Sequence, residues 1–160
     1  MSEGVKSLLQ LKIVAGALIW SVFIYVGVVF FLFMDPDPDH VSDTSLLIPL
    51  AGMAGLSVLA LPVIRTKLLG TLALPFLSGG APNVPQWNPE VEQQALQKYT
   101  VGTIVGCAIG ESVAIYGLVA AFLAQDPKLI VPFAITAVFL MGVQFPSVDG
   151  MKAVAAELDG

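Results

Sequence analysis

Four apolar blocks dominate the chain, roughly 13–33, 46–64, 101–124 and 129–145. Each is about 17–25 residues, the length a helix needs to cross ~30 Å of hydrocarbon. The apolar residues run in blocks rather than with an amphipathic period, which is the pattern of membrane spans. Only 12% of the 160 residues are charged, against about 25% in an ordinary soluble domain. Inside hydrocarbon the backbone must satisfy its own hydrogen bonds, so each block is expected to be a helix. The blocks therefore predict an all-α integral membrane protein of four helices.

The first block is expected to be a retained span. Its apolar core is long, and Met34-Asp35-Pro36-Asp37 follows where a signal peptidase would need small residues. Pro62 falls late in the second block, where it kinks or ends a helix. Pro132 and Pro146 bound the fourth. Lys6 and Lys12 precede the first block, Arg65, Lys67 and Lys98 lie between the second and third, and Lys152 follows the fourth. Only Lys128 falls on the opposite side. This bias predicts a multi-pass protein of the plasma (inner) membrane with both termini cytoplasmic. The net charge of −5 owes much to the acidic outer loop DPDPDHVSD, so no nucleic-acid partner is expected.

The chain also carries an internal repeat. When residues 13–32 are set over residues 104–123, ten pairs are identical: Ile13/Ile104, Val14/Val105, Ala17/Ala108, Ser21/Ser112, Val22/Val113, Ile24/Ile115, Tyr25/Tyr116, Val28/Val119, Phe31/Phe122 and Leu32/Leu123. Asp-Pro follows both copies at the same offset, as Asp35-Pro36 and Asp126-Pro127. After the loop, LIPLA (47–51) pairs with IVPFA (130–134). The reading is a duplication giving two tandem helical hairpins, 1–69 and 99–160, the second ending in a short C-terminal tail. They are joined by a cytoplasmic or interfacial connection over 70–98. In that connection Asn88-Pro89-Glu90 reads as a helix start, from which a helix runs unbroken into the third block. Trp87 is expected at headgroup level.

The copies differ at one decisive position: Glu111 stands where the first copy has Trp20. Glu111 lies about 12 residues into the third block, near mid-membrane at ~1.5 Å per residue. A carboxylate there costs about 2.5–3.5 kcal/mol on insertion scales, and hydrocarbon disfavours its charged form. No Lys or Arg lies inside any block. The candidates are a bound proton, a bound monovalent cation, or a neutral acid hydrogen-bonded to another helix. Gly102, Gly106, Gly110 and Ala114 recur every four residues beside it and form a helix-packing stripe. Ser112 and Tyr116 supply hydroxyls nearby, for packing or for coordination. Cys107 is the only cysteine, which rules out an internal disulfide and a cysteine-rich metal site. It reads as a buried filler. His40 stands among acids in the outer loop, where alternating prolines favour an extended, solvated chain over a metal site. Gln144 reads as a helix-contact residue. No catalytic set and no cofactor motif is present, so the chain is not expected to be an enzyme by itself.

Glu111-x-x-x-Ile115-Tyr116-Gly117-Leu118-Val119-x-Ala121 resembles the carboxylate-bearing helix of subunit c, the proteolipid of F-type ATP synthases. Four spans with one carboxylate kept after duplication resemble the V-type proteolipid. The resemblance is specific over about fifteen residues, and the family's short Arg-Gln/Asn-Pro loop is absent here. It implies that Glu111 binds and releases an ion. Sodium-binding members have a serine directly after the glutamate and a tyrosine five residues after it, as Ser112 and Tyr116 stand here. It also implies a proteolipid that works in the lipid bilayer as a homo-oligomer or as a subunit of a membrane complex. The other reading is a non-catalytic membrane scaffold or accessory subunit whose glycine stripe is its interface.

Overall fold

The computed structural model describes residues 3–33, 45–69 and 89–158. These are helices and short turns, with no strand among the described residues. The order is α1 (Glu3–Leu32), α2 (Leu47–Leu69), α3 (Pro89–Ala124), a 3-10 turn (Pro127–Leu129), α4 (Ile130–Val143) and α5 (Val148–Leu158). The outer loop with His40, Trp87, Asn88 and most of the 70–98 connection lie outside the described residues.

Three helices are long and apolar enough to cross a membrane, with spans at Ser7–Leu32, Leu47–Ile64 and Glu90–Ala124. Their outer faces carry large apolar side chains in the open: Trp20 is 67% exposed, Phe31 76% and Leu59 70%. Surface of that kind is stable against lipid and costly against water.

The fourth expected span, 129–145, is found as part of a bent helix pair and not as one long helix. α4 has 14 residues, about 21 Å of helix, which is short of ~30 Å. It reaches spanning length only with α5, from which it is bent by 58°. The bend is written locally. Pro146 cannot continue a helix, and Ser147 caps the next one by accepting the Gly150 N–H at 3.0 Å. The Ser147 N–H is donated to the Tyr99 hydroxyl of α3 at 2.9 Å. A side chain on Gly150 would lie 2.6 Å from that oxygen, so only glycine admits the approach. The short C-terminal tail expected past 145 is therefore in large part a helix. Its Met151, Val154 and Ala155 pack on Leu8, Leu11, Ala95 and Tyr99.

Pro62 does not end α2, which continues to Leu69. Thr66 donates its hydroxyl to the Pro62 and Val63 carbonyls at 3.0 and 2.9 Å. α3 ends where Gln125 turns left-handed, with φ 51°. Asp126 then accepts the Lys128 N–H at 3.0 Å, and Pro127 starts the turn into α4.

α3 is the hub. α1, α2, α4 and α5 all pack on it and α4 also meets α1, whereas α1 and α2 have no extended contact. α1 and α3 run side by side in the same direction. Leu8 and Leu11 lie with Ala95 and Tyr99 at one end, Val22 with Val113 and Ala114 in the middle, and Val29 with Ala121 at the other end.

Candidate functional site

Glu111 is half-buried on α3 and turned toward α1. Its Oε1 accepts a hydrogen bond from the Tyr25 hydroxyl at 2.8 Å and one from Ser21 Oγ at 3.2 Å. Both donors belong to the first copy of the repeat, and they are the counterparts of Tyr116 and Ser112. The placement follows from the packing. The two copies' first helices lie parallel with little relative shift, so residues near 21 on α1 stand level with residues near 111 on α3. Tyr25 is one turn beyond Ser21 on the same face, which lets both hydroxyls converge on one oxygen.

The second copy's own pair is placed differently. Ser112 donates to the Ala108 carbonyl of its own helix at 2.9 Å. Tyr116 packs against the middle core beside Val113 and Ala114. Of the three residues expected to bind an ion, the structure brings Glu111 together with Ser21 and Tyr25, and gives Ser112 and Tyr116 other contacts. A signal for this was present in the sequence. Both copies keep the serine and tyrosine, but only one keeps the acid, so the acid-free copy had two hydroxyls to donate.

The small-residue stripe lies against α4. Gln144, itself buried, seats its amide against Gly106 and donates to the Leu140 carbonyl at 3.2 Å. A side chain on Gly110 would meet Met141 at 2.8 Å and the Ala137 carbonyl at 3.4 Å. Ala114 is fully buried with Ala134 and Ala137. Gly102 and Cys107 are buried as well. Sequence alone left open whether this stripe packs within the chain or between chains; Gly106 and Gly110 are occupied within it.

The chemistry of the pocket turns on proton count. Ser21 Oγ lies 2.7 Å from the Leu18 carbonyl and 3.2 Å from Glu111 Oε1, yet a serine hydroxyl has a single proton to donate. With Glu111 ionised, Tyr25 and Ser21 both donate to the carboxylate. With Glu111 protonated, the acid can donate to Ser21 Oγ while Ser21 donates to Leu18. Neither state leaves a polar hydrogen of the three side chains unpartnered, which matters where an unmet donor costs several kcal/mol.

No protein-family model matches the chain, and neither a curated protein nor a solved structure matches it.

Proposed function

We propose that this is a multi-pass, proteolipid-like membrane protein in which Glu111 reversibly binds a proton, with sodium the weaker candidate. Its role is ion translocation or proton sensing. The observation that carries the reading is the cross-repeat triad of Glu111, Tyr25 and Ser21, whose hydroxyls can serve both the charged and the neutral acid. One carboxylate and two hydroxyls form a thin shell for a metal cation, since such ions take many oxygen ligands, and an adequate one for a proton. The arrangement of four spans in two tandem hairpins belongs to this proposal, with the bent α4–α5 pair as the fourth span. So does the orientation, with both ends at the cytoplasmic face of the plasma (inner) membrane, and assembly as a homo-oligomer or as a subunit of a larger membrane complex. Intramembrane acids are functional by default, and the resemblance to subunit c points the same way.

Labelling of the purified protein with a hydrophobic carbodiimide across pH, with and without sodium, tests the reading. Glu111 is expected to be modified selectively, with labelling that fades as pH rises and is little protected by sodium. Labelling absent at every pH would sink it.

A second reading has support from the same contacts: a scaffold in which Glu111 is only an interhelical hydrogen bond from α3 to α1. Glu111→Gln separates the two. It keeps shape and hydrogen bonding but cannot ionise, so it abolishes proton exchange while leaving a scaffold's assembly intact.

A further inference from the structure

A groove of about 610 Å³ opens between α1 and α3 at the end of the bundle that carries Lys12 and Lys98. Its walls include Ser7 and Gln97, Gln10 and Thr100, then Val14 and Ile104. Within each of these pairs the residues are ninety apart, and ninety is also the separation of Ser21 and Glu111. The groove and the carboxylate therefore lie on one seam, in one register. The groove's outer part mixes amides and hydroxyls with Leu11 and Leu96, and its inner end at Val14, Val101 and Ile104 is aliphatic. Val14 and Ile104 each stand seven residues before Ser21 and Glu111, about 10 Å along the helices. Ala17 and Ala108 occupy the intervening turn, and neither has a side chain beyond Cβ.

Past Glu111 the same register continues as Val28/Leu118 and Leu32/Phe122, all apolar. Val29, Ala121 and Ile130 are wholly buried on the core side there, and Phe33 meets Phe122 edge-on with ring centres 5.4 Å apart, while Val28 and Phe122 stay open on the outer face. The two halves of the seam thus differ in polarity.

The geometry points to a one-sided water route: the α1–α3 groove delivers protons to Glu111 from the Lys12/Lys98 end of the bundle and from no other. The proposal rests on the reading of Glu111 as a proton site. The occupant is water, because the outer lining offers hydrogen bonds from both walls and the groove has ample room for it. In the exchange a hydronium ion gives its proton to the carboxylate and leaves as water, and the reverse step ionises the acid. The titratable groups near Glu111 are few. α1 presents Tyr25, α4 has no ionisable residue, and α3 adds only Tyr116 and Cys107 on its own turns. Lys67 lies at the end of α2. Among the described residues, no charged side chain lines the groove.

The test uses the full chain in proteoliposomes of known orientation, in a Cys107→Ala background, with single cysteines at Ile104, Leu118 or the 66% exposed Ile135. A charged, impermeant methanethiosulfonate is added to one side at a time. Ile104→Cys is expected to react at least 100-fold faster from the Lys98 side than from the other, and at least tenfold faster than Ile135→Cys. Leu118→Cys should be inert from both sides. An Ile104→Cys rate no greater than that of Ile135→Cys, or greater from the opposite side, overturns the route. Hydroxyl-radical footprinting of the unsubstituted chain repeats the test without variants: Val14 and Ile104 should oxidise more than Ile135, and equal oxidation refutes it. A carbodiimide-labelled Glu111 with inert Ile104→Cys refutes the groove alone. A reactive Ile104→Cys with a Glu111 that never labels refutes the proton reading and the groove's role with it.

Discussion

The two copies of the repeat share a serine and a tyrosine at matching positions and use them differently. Ser21 and Tyr25 reach across to Glu111 on α3, whereas Ser112 bonds its own helix and Tyr116 packs in the core. Trp20, which stands where the second copy has its acid, faces outward beside Phe23, with ring centres 5.9 Å apart. The glycines divide the same way. Gly16, Gly27, Gly52 and Gly55 of the first copy have nothing within 4 Å of an added side chain, while on α3 Gly106 is covered by Gln144, Gly110 by Met141 and Gly117 by Phe133; Gly142 of α4 is open like those of the first copy. Burial agrees: 44% of an apolar 18-residue stretch of α3 is buried, against 17% of the corresponding stretch of α1. The two similar helices pack parallel and nearly in register, so that one bears the acid and the other hydrogen-bonds to it.

The largest test of this division is Gly110→Leu. It forces a side chain into Met141 and the Ala137 carbonyl and should cost about 1–3 kcal/mol of stability, read by reversible unfolding in mild detergent. Gly52→Leu, facing open space, should cost well under half of that. A similar loss at both positions would break the comparison.

Next comes the pair of tyrosines. Tyr25→Phe removes the 2.8 Å bond between α1 and α3, and interhelical hydrogen bonds in membranes contribute about 0.6–1.7 kcal/mol. Tyr116→Phe should cost less, since no comparable bond to Glu111 is lost. Equal costs would mean that the acid is shared between the copies.

A gain is expected at Gly52→Ala, about 0.5–1 kcal/mol from the lower backbone freedom of alanine in a helix, again measured by unfolding. The smallest change belongs to Ser112→Ala, within about 0.5 kcal/mol, because its hydroxyl serves only its own helix. A larger loss there would place Ser112 in the site after all.

Much of the fold was legible because spans are long and uniform. α3 begins at Pro89 and runs unbroken to Ala124, as the Asn-Pro-Glu start and the continuous apolar block indicated. The fourth block was legible up to its Pro146 boundary, but not the second, bent helix that Ser147 starts beyond it. α5 escaped the reading, although Met151, Val154, Ala155 and Leu158 have helical spacing. Glu111 could be found from the sequence because a buried acid is costly and has to be accommodated. Its donors lie 90 and 86 residues away, and helix register is fixed by tertiary packing, which no local pattern encodes. The repeat offset was the one clue to that register.

Isotope-edited infrared spectroscopy of the Glu111 carboxyl group, compared between Tyr25→Phe and Tyr116→Phe across pH in lipid bilayers, tests the central claim most directly. The account predicts a protonated-carboxyl band that disappears as pH rises, shifts in Tyr25→Phe and stays in place in Tyr116→Phe. A band that persists at every pH, or one that moves with Tyr116 and ignores Tyr25, would contradict it.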